Sequence, residues 1–187
     1  FRSLIMPVNR WKKLNQKTVF RNDHWSYNLD EFQIENTDYF GQYHYVHTLG
    51  STMVIPITDH GTFLLVNQYR YLNQKEGFEF PCGSIEGNLT PEENALKELR
   101  EETGFSAGKL IFSGQFAPYT GASDEICHVF IASDIFHDPL QSDITEEFEL
   151  IEKSYDEIEK MISDNIIWDG LTICAWTISK KLFPAYL

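Results

Sequence analysis

Gly83-Ser84-Ile85-Glu86-Gly87-Asn88-Leu89-Thr90-Pro91-Glu92-Glu93-Asn94-Ala95-Leu96-Lys97-Glu98-Leu99-Arg100-Glu101-Glu102-Thr103-Gly104-Phe105 is a loop that runs into one well-specified helix. Thr90 and Glu93 form a capping box, and Pro91 falls at the first helical position, where its missing N–H does no harm. Gly104 fits the left-handed residue just past the end. Ala95, Leu96 and Leu99 make the buried stripe. Glu98, Glu101 and Glu102, at i, i+3 and i+4, share the flank beside it over an arc of about 100°. Like charges at these spacings cost an isolated helix roughly 0.2–0.5 kcal/mol per pair. A divalent cation bound by hard oxygen ligands removes that repulsion; Mg²⁺ is the natural candidate and Mn²⁺ the alternative. Glu/Lys-rich helix faces are also ordinary solvated surface. What separates the two readings is the combination of glycine, loop, capped helix and acidic triplet.

That combination resembles the Nudix box: Gly, five residues, Glu, seven residues, then Arg-Glu-apolar-x-Glu-Glu-x-Gly-apolar. Gly83, Glu98, Leu99, Glu101, Glu102, Gly104 and Phe105 match; Leu89 stands for the first glutamate and Lys97 for the arginine. The resemblance implies that Glu98, Glu101 and Glu102 bind metal together with the backbone carbonyl of Cys82, and that Glu101 and Glu102 are catalytic. In the family the first glutamate helps order the loop, so Leu89 loosens metal binding unless Glu86 substitutes. Lys97 keeps the charge of the arginine but loses its planar fork.

The flanks narrow the resemblance to the ADP-ribose and nucleoside-diphosphate-sugar pyrophosphatase branch. Gln68-Tyr69-Arg70 and Glu79-Phe80-Pro81-Cys82-Gly83 are similar to its Gln-x-Arg and Glu-x-Pro-Ala-Gly segments. They imply that Arg70 contacts the substrate phosphates, chemistry suited to a guanidinium. Thr120-Gly121-Ala122-Ser123-Asp124-Glu125 is similar to the branch's Pro-Gly-x-x-(Ser/Asp)-Glu segment and puts Glu125 among the substrate-binding residues. Thr120 stands where ADP-ribose hydrolases carry proline, which leaves the wider nucleotide-sugar class open. Glu147-Phe148-Glu149-Leu150-Ile151-Glu152 is similar to the entry to the last strand. The resemblance makes Glu147 the residue that positions or deprotonates the attacking water, with Glu149 and Glu146 behind it. Asn165–Thr172 is similar to the run opening the final helix, so the likeness covers about residues 19 to 182.

At 187 residues, 42% hydrophobic and 14% aromatic, the chain is long and apolar enough for a sizeable core. A formal net charge of −13 argues against nucleic acid as a partner. No apolar run reaches the ~18 residues a membrane span needs. Three cysteines with no CxxC pair suit a reduced, cytoplasmic setting better than a disulfide framework. Phe1 is not a start residue, so a few residues are expected before it, and the sequence from Phe1 onward carries no signal pattern.

Two parts are expected: residues 1–48, an N-terminal antiparallel β segment for dimerisation and base binding, and 49–187, the hydrolase domain. Alternation predicts strands over Trp25–Glu35 and Tyr39–Thr48. Core-like runs predict strands at Met53–Thr58 and Phe63–Tyr69, joined at Asp59-His60-Gly61, with later strands near Leu110–Phe116, Ile126–Ala132 and Phe148–Lys153. Ser154 with Glu157 caps a second helix, and Asp169 caps a last one reaching about Phe183. Strands broken by one central helix and followed by two more give a mixed sheet between helices. This agrees with the α/β (α+β) class and the α/β/α sandwich that the resemblance implies.

The expected reaction is Mg²⁺-dependent hydrolysis of the pyrophosphate bond of a nucleoside diphosphate sugar, ADP-ribose first, giving AMP and ribose 5-phosphate. The base would stack on Trp25, Tyr27 or Phe32, and the branch implies a homodimer. The alternatives are hydrolysis of another nucleotide sugar or a dinucleotide, and a non-catalytic sensor of ADP-ribose-like ligands. The intact Glu-x-x-Glu-Glu favours the enzyme over the sensor.

Overall fold

The computed structural model describes residues 8–141 and 147–186. The described residues divide into two compact units: the first takes residues 8–48 together with Tyr119–Asp124, the second takes the other described residues.

The first unit is an antiparallel sheet of β1 (Trp11–Arg21), β2 (Ser26–Ile34) and β3 (Phe40–His47), in that order. Strand β2 alternates, but over its first half in the opposite phase to the one its apolar residues suggest: polar Ser26, Asn28 and Asp30 are buried together with Phe32, while Tyr27 and Leu29 are half-buried. Strand β1 was not expected. Every residue of it is exposed, so it carries no buried-face pattern, and its ladder with β2, from Trp11↔Ile34 to Arg21↔Ser26, holds it in place. Tyr119–Asp124 joins this unit through Val46 N–H to Ala122 O (2.8 Å) and Tyr43 Oη–H to Gly121 O (3.1 Å).

The second unit contains β4 (Ser51–Pro56), β5 (Phe63–Arg70), β6 (Lys75–Glu79), β7 (Cys82–Ser84), α1 (Pro91–Thr103), β8 (Phe105–Phe116), β9 (Cys127–His137), β10 (Glu149–Lys153), α2 (Tyr155–Ser163) and α3 (Gly170–Ser179). One sheet has the order β7-β4-β9-β8, with β4 and β9 parallel; the other has the order β10-β5-β6. Central strand β4 is buried at every position, as a strand covered on both faces must be. Val54 on β4 joins Phe130 and Ala132 of β9 and Ala95 and Leu99 of α1 in one cluster. Met53 and Ile55 point the other way, into a larger cluster with Val129, Ile131, Ala175 and Trp176. Helices α1 and α3 therefore cover opposite faces, the α/β/α sandwich of a mixed sheet.

The turn after β4 forms at Asp59-His60-Gly61, with Thr58 N–H donating to Thr62 O at 2.8 Å and Gly61 at φ +75°. The final helix is shorter than its sequence suggests. It starts from the Asp169 cap but ends at Ser179, and Pro184 sits in a separate 3₁₀ turn at Phe183–Ala185. Among the described residues no helix is long and apolar enough to cross a membrane.

Candidate active site

The capping interactions that the sequence predicts for α1 are all present. Thr90 Oγ1 accepts the Glu93 N–H, Glu93 accepts the Thr90 N–H, and Gly104 closes the helix at φ +77°. Because Ala95 and Leu99 are seated on β4 and β9, the flank carrying Glu98 and Glu102 turns toward β7. Glu102 Oε1 accepts the Cys82 N–H at 3.3 Å, and a Cβ on Gly83 would stand 2.2 Å from Glu98 Cδ. Both residues are buried. Burying charged carboxylates costs several kcal/mol unless positive charge or hydrogen bonds compensate.

Lys97 supplies one positive charge. Its Nζ lies 2.5 Å from Glu101, 3.2 Å from Glu86 and 3.8 Å from Glu98. Burial pulls the Lys97 pKa down, but the bonds to Glu101 and Glu86 and the charges of Glu98 and Glu101 outweigh it and hold it above the ordinary lysine value. Among the described residues no three His, Cys, Asp or Glu side chains converge on a common point. The expected ligands thus share one flank of α1 without converging, and Glu101 is paired with Lys97. Three carboxylates surround one ammonium and Glu102 lies on the same flank of α1, and that excess of hard oxygen donors fits a divalent cation. The Cys82 thiol does not join them as a thiolate: its bond to Cys127 and its burial push its pKa up.

The loop before α1 is fixed by a residue that the sequence did not mark. Asn94 is fully buried; its Oδ1 accepts the Glu86 N–H at 3.1 Å and its Nδ2 donates to Thr52 Oγ1 at 2.8 Å. Ile85 N–H adds a bond to Gly50 O at 2.9 Å. Leu89 is half-buried, and its N–H closes a turn onto Glu86 O.

Arg70 is committed in a way that its motif does not reveal. Its Nε donates to Glu79 Oε1 at 2.8 Å and its Nη2 to Glu79 Oε2, a two-point contact with a fully buried carboxylate. Three of its five N–H donors remain. Glu149 lies at the start of β10 opposite Asn67, whose Nδ2 bonds both Glu149 (3.3 Å) and Glu76 (3.4 Å). Glu76 is a further carboxylate that the sequence motifs do not mark. Glu147 is exposed just before β10, and Glu146 lies outside the described residues. Glu125 accepts Ser51 Oγ–H at 2.7 Å.

The three aromatic candidates belong to the first unit. Trp25 is partly exposed beside Phe20, Tyr27 hydrogen-bonds His44 Nδ1 at 3.0 Å, and Phe32 is buried under Trp11, their rings stacked 4.1 Å apart. Period-2 alternation puts Tyr27 and Phe32 on opposite faces of β2. The structure therefore does not bring the three together, and Phe32 serves as packing.

The model of the NUDIX domain matches residues 46–167 of the chain. The ADP-ribose pyrophosphatase of Bacillus subtilis (strain 168) is 29% identical over 88% of this chain and 92% of its own length. A GDP-mannose pyrophosphatase of Yersinia enterocolitica is 32% identical over 66% of this chain and 69% of its own. A solved structure described as an ADP compounds hydrolase superposes with a TM-score of 0.84, covering 96% of this chain and 97% of that one at 19% identity, a likeness of fold.

Proposed function

Because the chain belongs to the NUDIX domain family and is a hydrolase of that family, we propose that it cleaves the pyrophosphate bond of a nucleoside diphosphate sugar, with ADP-ribose the leading substrate. Water adds to one phosphorus, the bridging P–O bond breaks, and the products are AMP and ribose 5-phosphate. The observation that carries this reading is the acidic flank of α1, seated against Cys82 and Gly83 by Glu102 and Glu98. The similarity to the B. subtilis ADP-ribose pyrophosphatase over most of both chains supports the substrate.

Glu98, Glu101 and Glu102, with the backbone at Cys82, are the proposed ligands of Mg²⁺. The ion supplies charge neutralisation of the diphosphate and Lewis acidity. Arg70 offers its remaining donors to a phosphate while Glu79 fixes the plane of the fork. Glu147 is the proposed group that orients the attacking water, with Glu149 held by Asn67 beside it in sequence. Trp25 and Tyr27 carry the proposed base-stacking role. Exposed Trp11, Phe20 and Phe40 in the first unit favour a homodimer. The three unpaired cysteines suit a cytoplasmic setting.

A second reading, hydrolysis of another nucleotide sugar, is favoured by the GDP-mannose pyrophosphatase relatives. Turnover of ADP-ribose, GDP-mannose and other nucleotide sugars with Mg²⁺, by the native chain and by Glu102→Gln, tests both. ADP-ribose cleaved to AMP, with a loss of about 100-fold in the variant, supports the first reading. Preference for GDP-mannose supports the second. Turnover of none of the panel would overturn both.

A further inference from the structure

The Lys97 ammonium touches three carboxylates, and they belong to two different pieces of chain. Glu98 and Glu101 lie on α1, on the face proposed to receive a divalent cation; Glu86 lies on the preceding loop, outside that face. The closest contact is to Glu101, and among the described residues no three His, Cys, Asp or Glu side chains share a point. A cation that takes Glu101 must first take it from Lys97.

We propose that Lys97 is a resident cation displaced by the divalent ion, and that Glu86 is the positioning residue that receives its ammonium when Glu101 is released. This rests on the reading that a divalent cation uses the Glu98–Glu101–Glu102 face. The side-chain chemistry suits such an exchange. A lysine is a point charge with three rotatable donors on a flexible stem, so it can change partners by pivoting, whereas the planar fork of arginine holds a carboxylate at two points. Lys97 is already within ion-pair reach of Glu86, so the pivot is short.

Glu86 is suited to the receiving end. Its backbone is anchored by the bond from its N–H to buried Asn94, which is itself tied to Thr52. Its carboxylate is exposed, so it keeps its charge without the desolvation that the α1 carboxylates bear. With no partner there, the released and partly buried ammonium would face the incoming cation across a few ångströms, and the repulsion would weaken binding. Leu89, half-buried in the same loop, has no charge to offer.

The test is Mn²⁺ binding to the full chain without substrate, read as loss of the free-ion EPR signal. Lys97→Met should bind Mn²⁺ at least about tenfold tighter, toward the water-screened end of what one charge a few ångströms away is worth. Lys97→Arg should bind more weakly than native, because the fork holds Glu101, and this variant decides the matter if Lys97→Met does not fold. Glu86→Gln should bind several-fold more weakly with an unchanged melting temperature, and this loss should vanish on the Lys97→Met background. Weaker or unchanged binding by Lys97→Met would overturn the exchange, as would a Glu86→Gln effect that persists without Lys97, since that is only bulk charge. A native chain that takes up no Mn²⁺ would overturn the underlying cation reading as well.

Discussion

The backbone of Gly83 lies directly against the carboxylate of Glu98: a Cβ at residue 83 would stand 2.2 Å from Glu98 Cδ and 2.3 Å from its Oε2. The glycine is thus needed for the space beside it; no left-handed backbone is involved. Gly83→Ala would collide with the far end of a flexible side chain, which can swing away at little cost in stability. The damage appears in function, since a proposed metal-binding carboxylate displaced by about 1 Å can lose on the order of 100-fold in rate. The expected outcome is a melting temperature within a few degrees of native with kcat/KM down about 100-fold. Equal activity in the alanine variant would mean that Glu98 has no positional role.

Arg70 and Glu79 make a second separable pair. Glu79 is 1% exposed, so removing Arg70 takes the compensating charge from a buried carboxylate and leaves it the neutral Gln68 amide at 3.4 Å. Arg70→Ala is expected to cost about 3 kcal/mol, at the low end for such a change because Arg70 itself is 40% exposed and admits water. Arg70→Ala with Glu79→Gln should recover part of that stability in urea unfolding without recovering turnover. Full recovery of turnover would exclude a phosphate-binding role for Arg70.

Much of this was legible in sequence, for reasons that differ by element. Helix α1 announces itself through Thr90, Glu93, Pro91 and Gly104, and β4 and β9 through apolar runs, because these elements are stabilised by their own residues. Strand β1 is solvent-exposed along its length, and β7 is only three residues long. Both are held by the ladders of neighbouring strands, and no window of one sequence contains that information. The same limit hid parts of the site. The i,i+4 contact between Lys97 and Glu101 can be read from spacing, but Glu86 reaches Lys97 only because Asn94 folds the loop back. The partner of Arg70 lies nine residues on, and pairing of β5 with β6 brings it back.

The cap of α2 gives a pH-dependent signature. Bonds from the Ser154 backbone and side chain and from Lys153 lower the pKa of Glu157 from the usual 4.5 to about 2. A depressed carboxylate contributes stability above its unfolded pKa and loses it as pH falls toward the folded value. The stability difference between native protein and Glu157→Gln should be constant from neutral pH to about 5, shrink between 4.5 and 2, and disappear below that. Thermal melts of both across pH 2–7 measure it. A difference that grows on acidification would contradict the cap assignment.

Asn94 supports the box loop from inside, and its replacement should damage stability and catalysis together, unlike Gly83. Its amide is fully buried and bonds to Glu86 on one side and Thr52 on the other. Asn94→Ala leaves the Glu86 N–H and the Thr52 hydroxyl without their partner, at about 1–3 kcal/mol. Asn94→Asp keeps the acceptor for Glu86 N–H but removes the donor to Thr52 and adds a buried charge to an acidic neighbourhood, so it should be the worse of the two. Urea unfolding should rank native above Asn94→Ala above Asn94→Asp. Hydrogen exchange should show faster opening of the Ile85 and Glu86 amides in both variants, because each loses part of the anchor holding that loop to β4. Protection unchanged at those two amides would show that the Ile85 bond to Gly50 alone fixes the loop, leaving Asn94 a packing role.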